Sequence, residues 1–551
     1  MKKYTLGIDF GTLSARAVLM DAEKGETLAT AVNEYSHGVM DRELPSGKRL
    51  SPRSALQDGE DYVKALSDTV RTVIAETGID ASEIAGVGID FTGCTMIPVD
   101  KDMRPMSSRE EYADEPHAYV KLWKHNSATK ESDDINRLAA DRGESWLSIY
   151  GGKTSAEWTF AKILQIYRQA PRVYEDTHLF LNTADWMVWL LTGEVTNSVN
   201  FAGYKELWNA ENGFPSTEFF RELCPEMENI IGTKICDRMA TLSSPAGYVN
   251  HEGARLTGLC EGTPVATPII DAHASMPALR VVEEGTLMLI LGTSGVYLLH
   301  SEEKKEMSGV LGYVKDGIIN GLYSYEAAQA TCGDHLEWYI KNALPASYTE
   351  GAKAEVVNIH KYLREKAKKL RVGENGLIYL DWQNGNRCVL SDLDLTGALF
   401  GLTLGTRPED IYRAMLEGVA FGGRMIVDNF EANGISINRV VASGGIAEKD
   451  ELFMQILADV LDREITVSEV KMSAAKGSAI YAAVAAGIYR DINEASIALG
   501  VTEGKLYSPI PENVKAYGKL YAEYVKLHDH FGKGGNDVLR RLKGICDQTL
   551  E

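Results

Sequence analysis

The order of apolar and polar positions divides the chain into short strands and amphipathic helices. Residues 4–20 (YTLGIDFGTLSARAVLM) hold two apolar runs around the small-residue turn Phe10-Gly11-Thr12, which predicts a β-hairpin. After a Glu23-Lys24-Gly25-Glu26 turn, residues 27–35 supply a third strand, and the polar stretch 36–57 predicts a long loop. Residues 61–77 carry Tyr62, Val63, Leu66, Val70, Val73 and Ile74 at helical spacing. Residues 84–91 (IAGVGIDF) read as a buried strand that runs into Asp90. Residues 105–150, with His117, Lys121, Trp123, Lys124 and His125, are charged and aromatic and predict loops. A helix is expected from just after Ser155 to Tyr167, with Glu157 near its start, and another over 183–191. Residues 202–208 (AGYKELW) follow neither period and are expected to be irregular.

The second half repeats the opening. A strand over 265–270 ends at Asp271, and residues 285–299 (GTLMLILGTSGVYLL) give strand, Gly292-Thr293-Ser294-Gly295 turn, strand. A second hairpin with glycine and hydroxyls in its turn points to an internal duplication, two like-built halves with one phosphate chain between their turns. Helices are expected over 333–342, 349–369, 409–432, 451–461 and 475–486, the last rich in small residues and suited to close approach by a helix or a flat base. The strand 439–442 runs into Ser443-Gly444-Gly445, either a nucleotide-binding turn or a plain βα connection. The amphipathic segments 513–531 and 536–546 are expected to pack on the second domain.

A chain of 551 residues is too long for one core, so two domains are expected, 1–275 and 276–551. Apolar content of 44% and charged content of 25% are those of a soluble globular protein, and the alternation of strands and helices predicts an α/β fold. The net charge of -21 argues against nucleic acid as a partner. Seven scattered cysteines without a CxxC pair argue against a disulfide framework or a zinc module and fit a reducing cytoplasm. The first strand begins almost at the N-terminus, leaving no room for a signal peptide, and no apolar run reaches the roughly 20 residues of a membrane span. A cytoplasmic protein is expected.

There is no GxxxxGK[ST] and no GxGxxG after a strand; His528 and His530, two apart on a helix, face different sides. What remains is three aspartates at strand ends, Asp9, Asp90 and Asp271, where open α/β sheets place ligands, and two turns suited to phosphate. Glycine lets backbone N–H groups approach an anion, and Thr12 and Ser14, like Thr293 and Ser294, add hydroxyl donors. Phosphoryl transfer needs positioning, charge neutralisation and a base on the attacking hydroxyl. Asp9 is the candidate Mg²⁺ ligand and Asp271 the candidate base; a helix cap is the competing role for Asp271, and an ordinary hairpin that for the first turn.

These motifs resemble the FGGY family of carbohydrate kinases along the whole chain. GIDFGT and LGTSG are similar to the family's two phosphate motifs, residues 397–417 (GALFGLTLGTRPEDIYRAMLE) to its C-terminal signature, and the stretch from Ser443 to its adenosine-side strand, turn and helix. The resemblance implies two actin-like, ribonuclease H-like domains of the ASKHA superfamily, with ATP and sugar in the interdomain cleft, and Mg·ATP as donor. It implies nucleotide contacts at Gly11, Thr12, Ser14, Gly292, Thr293, Ser294, Gly444 and Gly445, Asp9 at the metal, and Asp271 as base. EYSHGVMD, GIDFTGCTM, HAYVKLWKH, YGGKTSAEW, AGYKELW, YSYEAAQA and DWQNGNR narrow the resemblance to the family's ketopentose kinases, with L-ribulose as the expected acceptor. By that resemblance Lys205, Asp271, Glu326 and the backbone near Gly93 contact the sugar. Two positions depart: Gly295-Val296-Tyr297 is closer to the pattern of xylulose kinases, and Gly93 stands where alanine is expected. The alternatives are another ketopentose or polyol as acceptor, or a non-catalytic actin-like ATPase. The expected partners are small molecules, with neither nucleic acid nor membrane, and with room for a homodimer.

Overall fold

The computed structural model describes residues 3–242 and 244–550. The chain forms two compact units, Met1–Glu283 with Tyr313–Ser324 and Val470–Thr502, and Glu284–Gly312 with Tyr325–Glu469 and Glu503–Glu551.

The sheet of the first unit runs Pro245–Tyr248, Pro264–Ala266, Ile84–Phe91, Tyr4–Phe10, Ser14–Asp21, Thr27–Glu34, with Ile269–Ile270 also paired to Ile84–Phe91. The opening hairpin is antiparallel, with Phe10 opposite Ala15. Tyr4–Phe10 lies parallel to Ile84–Phe91, with Asp9 level with Asp90. Ile269 and Ile270 lie level with Asp90 and Phe91. Parallel pairing in this register brings the C-terminal ends of three strands together, and with them Asp9, Asp90 and Asp271. Beneath the first turn, Phe10 stacks on Phe91 at 5.2 Å between ring centres and Tyr62 meets Phe91 edge-on at 5.0 Å.

The small-residue helix Ser473–Ala485 lies on this sheet and against the helix Asp271–Ala278. Its backbone comes so close that a Cβ on Gly88 would stand 2.0 Å from the Ser478 carbonyl oxygen, and one on Gly7 1.8 Å from that of Ala475. Glycine at those two strand positions is what admits the helix.

In the second unit the sheet includes residues 325–329 of the strand Tyr323–Gln329, then Gly295–Ser301, Thr286–Leu291, Arg439–Ser443, Ile465–Ser468 and Gly504–Tyr507. Its centre repeats the first unit: an antiparallel hairpin (Leu291 opposite Gly295) whose first strand runs parallel to a later one. The long helix Pro408–Ala432 packs against the tail helix Pro511–Gly532 through Phe421 with Tyr517, Tyr521 and Tyr524.

Several local expectations need correction. A 14-residue helix, Thr129–Arg142, occupies the stretch read as loop. Residues 202–205 close a helix, Val199–Lys205, capped by the Ser198 side chain on the Asn200 N–H. Residues 349–369 fall in two helices, Ala346–Ala354 and Ile359–Ala367. Among the described residues no helix is long and apolar enough to cross a membrane, and all seven cysteines are free.

Candidate active site

The strand ends of the first unit supply the acids. Asp9 is buried, and Arg16 Nη1 donates to its Oδ2 at 2.9 Å. Asp90 is fully buried and accepts a 2.6 Å hydrogen bond from Ser478 Oγ at Oδ2. Burial first, then the neighbouring charge of Asp9, hold its pKa well above the usual carboxylate range, so Asp90 favours the neutral acid. Asp271 is the first residue of its helix, and its Oδ1 accepts from the Ala272 N–H at 2.7 Å. The cap position of this helix is Ile270, with no side-chain cap hydrogen bond, so Asp271 does not fill the competing role of helix cap. Among the described residues no group of three or more His, Cys, Asp or Glu encloses a metal. A kinase Mg²⁺ takes one or two carboxylates and completes its shell with water and substrate phosphates, and Asp9 has the donor chemistry for that.

The two hairpin turns are built alike but not identically. In the first, Gly11 N–H donates to Ser14 O at 3.1 Å; in the second, Gly292 N–H donates to Ser294 O at 3.0 Å, one residue tighter. Thr12 is held from outside its hairpin: Trp123 Nε1 donates to its hydroxyl at 3.0 Å and Gln57 Nε2 to its carbonyl at 2.8 Å. With the hydroxyl oxygen so engaged, the Thr12 O–H remains able to donate. Ser14, also expected in this turn, is buried. Across the second turn, the Thr293 carbonyl accepts from the Cys332 and Gly333 N–H groups at 2.9 and 3.1 Å. Gly444 has φ 100° and a Cβ on it would stand 2.6 Å from the Leu291 carbonyl oxygen, so only glycine fits. Thus Gly292, Thr293, Ser294, Gly444 and Gly445 gather around the end of one strand in the second unit. Glu326 is in that unit too, buried on the strand Tyr323–Gln329.

In the first unit Gly93, Lys205 and the residue before Asp271 converge. A Cβ on Gly93 would lie 3.5 Å from Ile270 Cγ2 and 3.6 Å from Lys205 Cε, ordinary contact distances. Lys205 is buried with its ammonium 5.7 Å from the Trp158 ring centre and 5.8 Å from that of Tyr204. It lines a small pocket with Thr154, Ser155, Trp158 and Leu207. Thr154, Ser155 and Trp158 add to the candidate site residues read from the sequence, and all three lie within the string YGGKTSAEW.

Two further basic groups lie inside this wall. Lys121 and Lys162 are both fully buried, which pushes their pKa values down to about 7 and about 8. Lys121 Nζ is 3.4 Å from His125 Nε2, whose Nδ1 accepts from the Ala55 N–H at 3.1 Å. Burial holds His125 well below its ordinary value. Tyr297, one of the departing positions, is buried with its hydroxyl bonded to Gln329 Oε1 in the core of the second unit.

Models of the N-terminal and C-terminal domains of the FGGY family of carbohydrate kinases match residues 4–276 and 287–486. A ribulokinase of Geobacillus thermodenitrificans is 46% identical over 547 residues, covering 98% of this chain and 97% of its own. One of Halalkalibacterium halodurans is 45% identical over 548 residues, with 98% and 97% covered. Among solved structures, the ligand-bound xylulose kinase of Lactobacillus acidophilus superposes with TM-score 0.79 at 17% identity, covering 97% of this chain and 99% of that one. The Plasmodium falciparum glycerol kinase with ADP does so with TM-score 0.74 at 18% identity, covering 95% and 97%. These two share the fold. Both halves of the sequence thus match one family, relatives align along nearly its full length, and the chain belongs to the FGGY family of carbohydrate kinases.

Proposed function

We propose that the chain transfers the γ-phosphoryl group of ATP to the terminal hydroxyl of a ketopentose, with L-ribulose as the preferred acceptor. Membership of its family makes it a phosphotransferase with an alcohol group as acceptor. The sugar rests on one observation: relatives named ribulokinase are 41–46% identical over nearly the full length of both chains. The strings quoted above, which look like those of L-ribulokinase, agree with it.

In this reading Asp271 accepts the hydroxyl proton as the new O–P bond forms and the bond from Pγ to the β–γ bridging oxygen breaks, releasing ADP. Lys205 and the backbone at Gly93 hold the sugar, and Glu326 keeps the sugar-binding role that the resemblance gives it. The turns at Gly11–Ser14 and Gly292–Ser294 and the Gly444–Gly445 step receive the nucleotide. Asp9 would hold Mg²⁺, which when bound neutralises phosphate charge. Trp123 and Gln57 fix Thr12, whose O–H stays able to donate to a phosphate oxygen.

A coupled ADP-release assay over L-ribulose, D-xylulose and glycerol tests the proposal. The highest kcat/KM is expected with L-ribulose. No turnover with any pentulose, or a clear preference for xylulose or glycerol, would overturn it.

A further inference from the structure

Cys94 stands in the turn between the strands Ile84–Phe91 and Met96–Val99, directly after Gly93, and has φ 59°. A side chain is disfavoured in that region, so such a residue persists only where its surroundings hold it. Lys162, on the helix Thr159–Gln169, donates to the Cys94 carbonyl at 2.6 Å, to that of Leu122 at 3.0 Å and to that of Lys121 at 3.4 Å. A buried ammonium is costly unless its protons are taken up, and here backbone oxygens from two separate segments take them. The same lysine closes the first turn of that helix, its own N–H donating to the carbonyl of the cap residue Trp158 at 3.2 Å, so it joins the pocket wall to the Gly93 turn.

We propose that Lys162 is a positioning residue: its ammonium ties the Cys94 carbonyl to the Lys121–Leu122 segment and holds the strained turn so that Gly93 is presented to the sugar. This rests on the functional reading above, in which the Gly93 turn forms part of the sugar site. It assigns to Lys162 no contact with either substrate.

The test is K162M, which keeps the aliphatic stem and removes the donors, combined with C94G, which lets the turn adopt positive φ without strain. In K162M the KM for L-ribulose is expected to rise tenfold or more while the KM for ATP stays within twofold. The K162M/C94G double variant is expected to regain most of that loss. A merely structural lysine would lower the melting temperature without splitting the two KM values. A ribulose KM within twofold of wild type in K162M, or a double variant no better than the single, would overturn the inference. If K162M is not recovered folded, a folded double variant with a ribulose KM close to that of C94G supports the coupling, and an unfolded one overturns it. Turnover by the wild type separates the two levels: without it the functional reading fails and this inference with it, whereas with it only the inference is at stake.

Discussion

Replacing Asp381 by asparagine is expected to stabilise the protein above pH 6 and leave it unchanged below pH 4. Asp381 follows the strand Ile378–Leu380 and is buried in the second unit. Its Oδ2 accepts from Gln329 Nε2 at 2.8 Å and its Oδ1 from the Tyr524 hydroxyl at 3.1 Å; among the described residues no cation pairs with it. Burial pushes its pKa up to about 6, against about 3.9 in an unfolded chain. Between those values the folded state binds more protons than the unfolded one, so this group's contribution is fully present below about pH 4 and is lost as pH rises through about 6. Two pH units correspond to about 3 kcal/mol. An asparagine can keep both contacts, its carbonyl accepting from Gln329 and its amide donating to the Tyr524 oxygen. D381N should therefore recover roughly 1–3 kcal/mol at pH 8, several degrees of melting temperature for a unit of this size. Thermal melts of wild type and D381N from pH 4 to 8 check this. Parallel curves for the two proteins, or a variant less stable at pH 8, would refute the reasoning.

Other changes have expected outcomes of similar definition. G88A drives a Cβ to 2.0 Å from a backbone oxygen of the helix Ser473–Ala485 and is expected to cost about 3 kcal/mol or more in denaturant unfolding; a loss under about 1 kcal/mol would show that the helix is not seated there. S478A removes the hydroxyl on buried Asp90 and should cost roughly 1–3 kcal/mol in the same measurement. G93A meets only ordinary contacts and installs the alanine expected at this position, so its melting temperature and its ribulose KM are both expected to stay close to those of the wild type; a tenfold rise in that KM would show that the methyl intrudes on the sugar.

The strands that carry the site were legible because each is an unbroken apolar run ending in a small or acidic residue, as in IAGVGIDF and GTLMLILGTSG. The helix Thr129–Arg142 was not, since TKESDDINRLAADR is mostly polar, with apolar Ile135, Leu138 and Ala139 as its only inward stripe. Packing, rather than propensity, decides such a segment. The helix Val199–Lys205 escaped for its shortness, with Gly203 inside it. The buried lysines were illegible for a different reason. A lysine in HAYVKLWKH or on an amphipathic helix reads as solvated, and only the folded chain brings carbonyls from two segments onto Lys162. The same holds for Ser478, some 390 residues from the Asp90 it serves. Tyr297 departs from the expected pattern, and only the folded chain shows it buried in the second unit with its hydroxyl on Gln329.

Asp271 as the base on a ketopentose hydroxyl is tested most directly by single-turnover ADP formation in D271N with L-ribulose and ATP both saturating. The variant should remain folded and form ADP at least ~10³-fold more slowly than wild type. A folded D271N that forms ADP within tenfold of the wild-type rate would contradict it.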